Sequence, residues 1–114
     1  MVRGEVVRLA PPRRARGHTP SGGTGEQRGA RPAVVVQADE LLALSTVLIA
    51  PTSRSAVPAT FRPTIEVDGT STRVLTDQLR VIDTQAVKGS VGHLSHGEMA
   101  AVDDALSLIL GLAS

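Results

Sequence analysis

The sequence predicts a mainly β fold of the α+β kind, a small and partly open barrel of short strands with a C-terminal α-helix. Three observations predict it. Short β-branched runs recur along the chain, and such residues pack well on a pleated surface. Turn signals separate them, above all Asp68-Gly69, the dipeptide that two-residue hairpins favour. The last 20 or so residues switch to helical spacing behind a capping sequence.

Residues 2–9 alternate imperfectly and make a first strand. Residues 10–30 hold Pro11, Pro12, Pro20, five glycines and four arginines, with almost no large apolar side chain. Such a composition cannot offset the entropy of ordering, so a mobile basic loop is expected there. Residues 31–36 and 46–51 are the expected central strands, with Val34–Val36 and Val47–Ile49 buried. Pro32 fits the first position of a strand, because it cannot donate to a ladder. Arg31 and Thr52 then stand at the ends of two core strands, where a rigid scaffold presents side chains to a site.

A short helical turn is expected at 39–44 and a loop at 54–59. Residues 60–67 alternate, with Phe61, Pro63, Ile65 and Val67 on one face, and the proline points to an edge strand. Strands at 73–75 and 78–83, a helical turn at 84–88 and a last strand at 90–94 complete the β region. Ser95 and Glu98 form a capping box. Met99, Val102, Leu106, Ile109 and Leu110 then recur at helical spacing, and Gly111 can end the helix.

Composition bounds the function. The 114 residues suffice for one domain spanning 1–114 with one modest core. Aromatics are 1% of the chain, Phe61 alone, so stacking of bases on aromatic rings is nearly unavailable. Contact with nucleic acid would rest on arginine, backbone and hydroxyls. There is no cysteine, which excludes disulfides and thiolate chemistry. No apolar run approaches membrane-spanning length and no signal-peptide core is present, so a cytoplasmic location without membrane contact is expected. Residues 1–36 carry seven arginines against Glu5 and Glu26, a net +5, while residues 37–114 carry a net −4. A basic arm on an acidic domain points to a polyanionic partner or, more plainly, to a solvated loop.

With these residues laid out, the chain resembles the MazF/PemK family of toxin ribonucleases. Arg3-Gly-Glu-Val6 is similar to the family's opening R-G-E-[IV], and Arg31-Pro-Ala-Val-Val-Val-Gln37 to its R-P-x-[VL]-V-[VI]-[QS]. Ala50-Pro-Thr-Ser53 resembles its [VA]-P-[LIV]-T-S region with one residue fewer between proline and threonine. Asp77-Gln-Leu-Arg-Val-Ile-Asp83 matches [DE]-Q-[IL]-R-x-[IV]-D, and Gly92-His-Leu-Ser95 echoes G-x-[LV]-[ST]. Each motif alone is weak; their order and spacing over nearly the whole chain carry the case. The resemblance implies an SH3-like barrel, a homodimer, metal-independent cleavage of single-stranded RNA without a cofactor, and a cognate antitoxin protein whose extended tail blocks the site. The chain departs from the family at Val7, where an aromatic is usual, and in the length of the 10–30 loop.

Cleavage of this kind uses the RNA's own 2′-hydroxyl and leaves a 2′,3′-cyclic phosphate and a 5′-hydroxyl. It needs a proton acceptor, a partner for charge on the phosphorane, and a proton for the leaving oxygen. The resemblance assigns Arg31 a central acid–base role. The planar guanidinium suits charge neutralisation, since its fork can hold two phosphate oxygens and it is a poor base. Thr52 can donate to the same phosphate, with Ser53 assisting, and Gln78 can orient substrate through its amide. Arg28 and His18, in the basic loop, are expected to bind RNA. Plainer readings stand beside these: an ion pair of Arg31 with Asp77 or Asp83, a turn at Thr52 and Ser53, and a strand-end Gln78. His93 and His96 flank the helix start and are expected to point apart. No spacing of His, Asp and Glu resembles a metal site, and Gly22-Gly23-Thr24-Gly25 lacks the ending of a phosphate-binding loop.

Two rival functions use the same fold. A non-catalytic toxin that poisons gyrase would depend on an aromatic near the C-terminus, and this chain ends Gly111-Leu-Ala-Ser114. A degenerate family member would bind RNA or antitoxin without cutting. The aliphatic stripe of the last helix fits a dimer interface and core packing equally well.

Overall fold

β-Branched residues dictate where the sheet forms. The computed structural model describes residues 1–11 and 31–112. Their strands are β1 (Glu5–Leu9), β2 (Arg31–Val35), β3 (Thr46–Ser53), β4 (Thr64–Val67), β5 (Thr70–Val74), β6 (Arg80–Asp83) and β7 (Val87–His93), followed by the helix α1 (His96–Ile109). Every pairing is antiparallel. The sheet runs β4-β5-β3-β2-β1-β7, with β6 also on β3.

β3 is the pivot. Its first half pairs with β6 (Thr46↔Asp83 to Ile49↔Arg80), while its last residues pair with β5 (Thr52↔Val74, Ser53↔Arg73). Its other edge pairs with β2 through Ile49, Ala50 and Pro51. β2 and β3 are buried on both faces, which is why they read as continuous apolar runs. Val34, Val36 and Ala50 join Val6, Ile65, Val74 and Leu94 in one core, closed by Val102 and Leu106 of α1. Ala33, Val35, Val47 and Ile49 join Val7 in a second core, flanked by Leu9, Leu42, Ile82 and Val87. The sheet thus curls into a half-barrel.

The helix starts where the capping box places it, with Ser95 Oγ accepting from the Glu98 amide. Met99 packs partly buried against the first core, as its spacing predicts. Pro63 limits the edge strand: β4 starts at Thr64 rather than 60, and it does lie at the end of the sheet. The first strand is shorter than expected because Gly4 turns the chain at φ +90°. Val6 and Val7 are both buried, because consecutive residues of β1 face opposite sides of the sheet and each side carries one of the two cores. Asp68 (φ +53°) and Gly69 (φ +78°) make the hairpin turn, so β5 begins at Thr70 instead of 73. Gln78 ends a 3-10 turn and β6 starts after it. The turn at Thr84–Ala86 is shorter than expected, and β7 begins at Val87. The expected loop at 10–30 lies, but for its first two residues, outside the described residues.

Candidate active-site groove

A groove of about 630 Å³ opens where β3 leaves β6 for β5. Its volume is that of a site for a small ligand or a nucleotide. One wall is the paired ends of β2 and β3, with Arg31, Pro32, Thr52 and Ser53, continued by Arg54 and Ser55. The other is the β4–β5 hairpin, with Val67, Asp68, Thr70 and Thr72.

Arg31 is the first residue of β2, exposed and paired with Leu9 of β1. Its Nη2 lies 3.5 Å from the carbonyl oxygen of Thr52, a long contact that leaves most of the guanidinium's donors for a ligand. Neither carboxylate considered for an ion pair faces it. Asp77 is held by Arg62, with Oδ1 accepting from Nε at 3.1 Å and Oδ2 from Nη2 at 2.8 Å. That guanidinium holds the Asp77 carboxyl below its ordinary range. Asp83 accepts from the Gln85 amide at 2.8 Å. Among the described residues, Arg31 has no ion pair.

Thr52 is 4% exposed, and its Oγ1 donates to the carbonyl of Pro32 at 2.8 Å. That bond ties the end of β3 to the residue that follows Arg31. Ser53 Oγ accepts from the Ser55 amide at 3.2 Å, the hydroxyl turn expected after a strand.

The structure therefore brings Arg31, Thr52 and Ser53 together and leaves Gln78 off the groove's lining. Arg28 and His18 lie outside the described residues. His93 sits with its Nδ1 3.0 Å from the Leu94 carbonyl, and His96 opens the helix; neither lines the groove. Sequence reasoning missed Arg54, Asp68, Thr70 and Thr72. Arg54 follows the hydroxyl pair directly, and its charge was a usable signal. The hairpin residues carried none, because only the pairing of β3 with β5 sets them opposite Arg31.

A curled half-barrel with an arginine that has no ion pair among the described residues, and with hydroxyls at its strand ends, defines a class: small barrels with a groove lined by hydrogen-bond donors. The comparisons narrow it. Residues 3–110 match the family described as PemK-like, MazF-like toxin of type II toxin–antitoxin system. Rv3098A of Mycobacterium tuberculosis (strain H37Rv), a protein provisionally named a toxin, is 43% identical over 113 residues, covering 98% of this chain and 99% of that one. The chain belongs to this PemK-like, MazF-like toxin family. A mycobacterial endoribonuclease solved in complex with its cognate antitoxin superposes with a TM-score of 0.76 at 16% identity, covering 100% of this chain and 98% of that one. MazF from Deinococcus radiodurans superposes at 0.72 with 25% identity, covering 97% and 96%. These likenesses bear out the small curled barrel with its terminal helix. Among the described residues, no helix is long and apolar enough to cross a membrane.

Proposed function

We propose that this chain is an endoribonuclease that cuts single-stranded RNA at a short sequence without a metal ion, as the toxin of a toxin–antitoxin pair. The observation that carries the reading is Arg31, set in the groove with no ion pair among the described residues and with Thr52 and Ser53 alongside. In the proposed reaction the 2′-oxygen forms a bond to phosphorus and the bond to the 5′-oxygen breaks. One proton leaves the 2′-hydroxyl and one reaches the departing 5′-oxygen. The substrate supplies its own nucleophile, so the protein's task is to position and to neutralise. Arg31 would pair with the non-bridging oxygens as negative charge grows on the phosphorane. Thr52 would reach the same oxygens by rotating away from Pro32, with Ser53 beside it. Arg54 would hold a neighbouring phosphate. Gln78, Arg28 and His18 belong to the same reading as residues that bind the rest of the strand.

Family membership and the mycobacterial complex support a cognate antitoxin that covers the groove, and a cytoplasmic site of action. A homodimer belongs to the same reading: Leu108, Leu110 and Leu112, 52%, 54% and 72% exposed, offer apolar surface for a second copy to cover.

The test uses purified protein, a long unstructured RNA and EDTA, with Arg31→Ala as control. Discrete fragments with 5′-hydroxyl ends are expected from the wild type, and a rate at least about 100-fold lower from the variant. Intact RNA over a broad range of wild-type concentration would overturn the reading.

A further inference from the structure

The groove is electrostatically two-sided. Arg31 and Arg54 stand on the wall made by β2 and β3, and Asp68 stands on the hairpin wall. Asp68 is exposed, and among the described residues its carboxylate has neither a hydrogen bond nor an ion pair. The turn holds it there: at φ +53° it is the first central residue of a two-residue hairpin turn completed by Gly69. Asparagine and glycine fit that position at least as well as aspartate, so backbone geometry alone does not require a charge.

A carboxylate facing two arginines across a groove repels phosphate and accepts N–H. If a strand of RNA lies with its phosphates on the arginine wall, its bases turn toward the hairpin. A carboxylate has two acceptor oxygens side by side. Guanine is the base whose Watson–Crick edge offers two adjacent donors, N1–H and the N2 amino group. Adenine and cytosine each place a ring-nitrogen acceptor beside the amino group, and uracil sets a single N–H between two carbonyls. Those edges set at least one lone pair against the second carboxylate oxygen.

We propose that Asp68 determines sequence specificity by selecting a guanine at one position of the cleaved RNA, with Thr70 and Thr72 of the same wall flanking the base. The proposal rests on the RNA-cleaving reading of the groove and adds to it the chemistry of one recognised base.

The experiment maps cleavage of a single-stranded RNA pool with a randomised window by the wild type and by Asp68→Asn. The substitution keeps size and suits the turn, and a thermal melt by circular dichroism checks that the fold is retained. Expected are wild-type cuts that share a guanine at one position, and a loss of that preference by about tenfold or more in the variant. Preferences at the other positions should stay within about threefold, well below the cost of losing a paired base contact. A wild-type motif without guanine would overturn the proposal. So would a variant that cuts all sequences faster by one common factor, the result expected if Asp68 only repels RNA at long range. Intact RNA with the wild type would instead remove the cleavage reading itself, and this proposal with it.

Discussion

Gly4 shows how little room one residue can have. Its φ of +90° lies where side chains are strained, and a Cβ there would stand 2.9 Å from Met99 Sδ and 3.2 Å from Cε1 of His93. Gly4→Ala is expected to cost about 1–3 kcal/mol, read as a lower urea midpoint by circular dichroism, the natural probe for a chain without Trp or Tyr. The neighbouring Arg3 explains why the opening motif begins with arginine. Its backbone N–H donates to Asp39 Oδ1 at 2.7 Å, its Nε donates to the Val36 carbonyl at 2.9 Å, and its Nη1 pairs with Asp103 of the helix at 2.8 Å. The motif's conspicuous arginine is thus structural, whereas Arg31 has no ion pair among the described residues. In the proposed reaction Thr52 would combine the two kinds of role. Thr52→Val keeps the shape and removes the bond to Pro32; it should lower stability by about 1 kcal/mol and lower cleavage far more. Thr52→Ser should restore both, and a serine variant as inactive as valine would show that the hydroxyl is not what matters.

At the scale of elements, one carboxylate joins helix to sheet. Glu98 accepts from the Ser95 amide through Oε1 at 2.8 Å and from the Glu66 amide of β4 through Oε2 at 2.9 Å. Burial pushes its carboxyl up, but the two amides and the Ser95 hydroxyl outweigh that and hold it below the ordinary glutamate value. A depressed carboxyl stabilises the folded state above its unfolded pKa, and the contribution is lost as pH falls through the folded one. Glu98→Ala should therefore cost about 1–2 kcal/mol at pH 7, with the gap to wild type closing below about pH 4. A constant gap down to pH 2 would contradict this assignment. The Ser95–Glu98 box was legible in the sequence because its partners lie three residues apart. The bond from Glu98 to Glu66 was not, since it depends on how the helix folds back over β4. The same division runs through the rest. Val34–Val36 and Val47–Ile49 announce buried strands by composition alone. Most of β7 is exposed and forms by pairing with β1, far away in the chain (Leu9↔Val87 to Glu5↔His93), so its first residues carry no local signal. In the groove, Arg31, Thr52 and Ser53 were legible through resemblance, and the hairpin wall was hidden in a pairing that no motif marks.

For the whole molecule, β3 is the member that everything else shares. It borders β2, β5 and β6, and its residues enter both cores, Ala50 in one and Val47 and Ile49 in the other. Ile49 is fully buried, and Ile49→Ala should cost about 2–5 kcal/mol. Because the two cores meet on this strand, they are expected to melt together. Urea transitions followed by circular dichroism and by amide exchange in β1 and β5 should coincide, and a separate earlier loss of β4 and β5 would contradict that coupling. The same strand holds Thr52 and Ser53. If the cores melt together, the β3 wall of the groove is expected to be lost with the scaffold rather than to soften alone. Damage to the fold is expected to change the dose of this toxin, the number of intact copies, and to leave the potency of each surviving copy as it was.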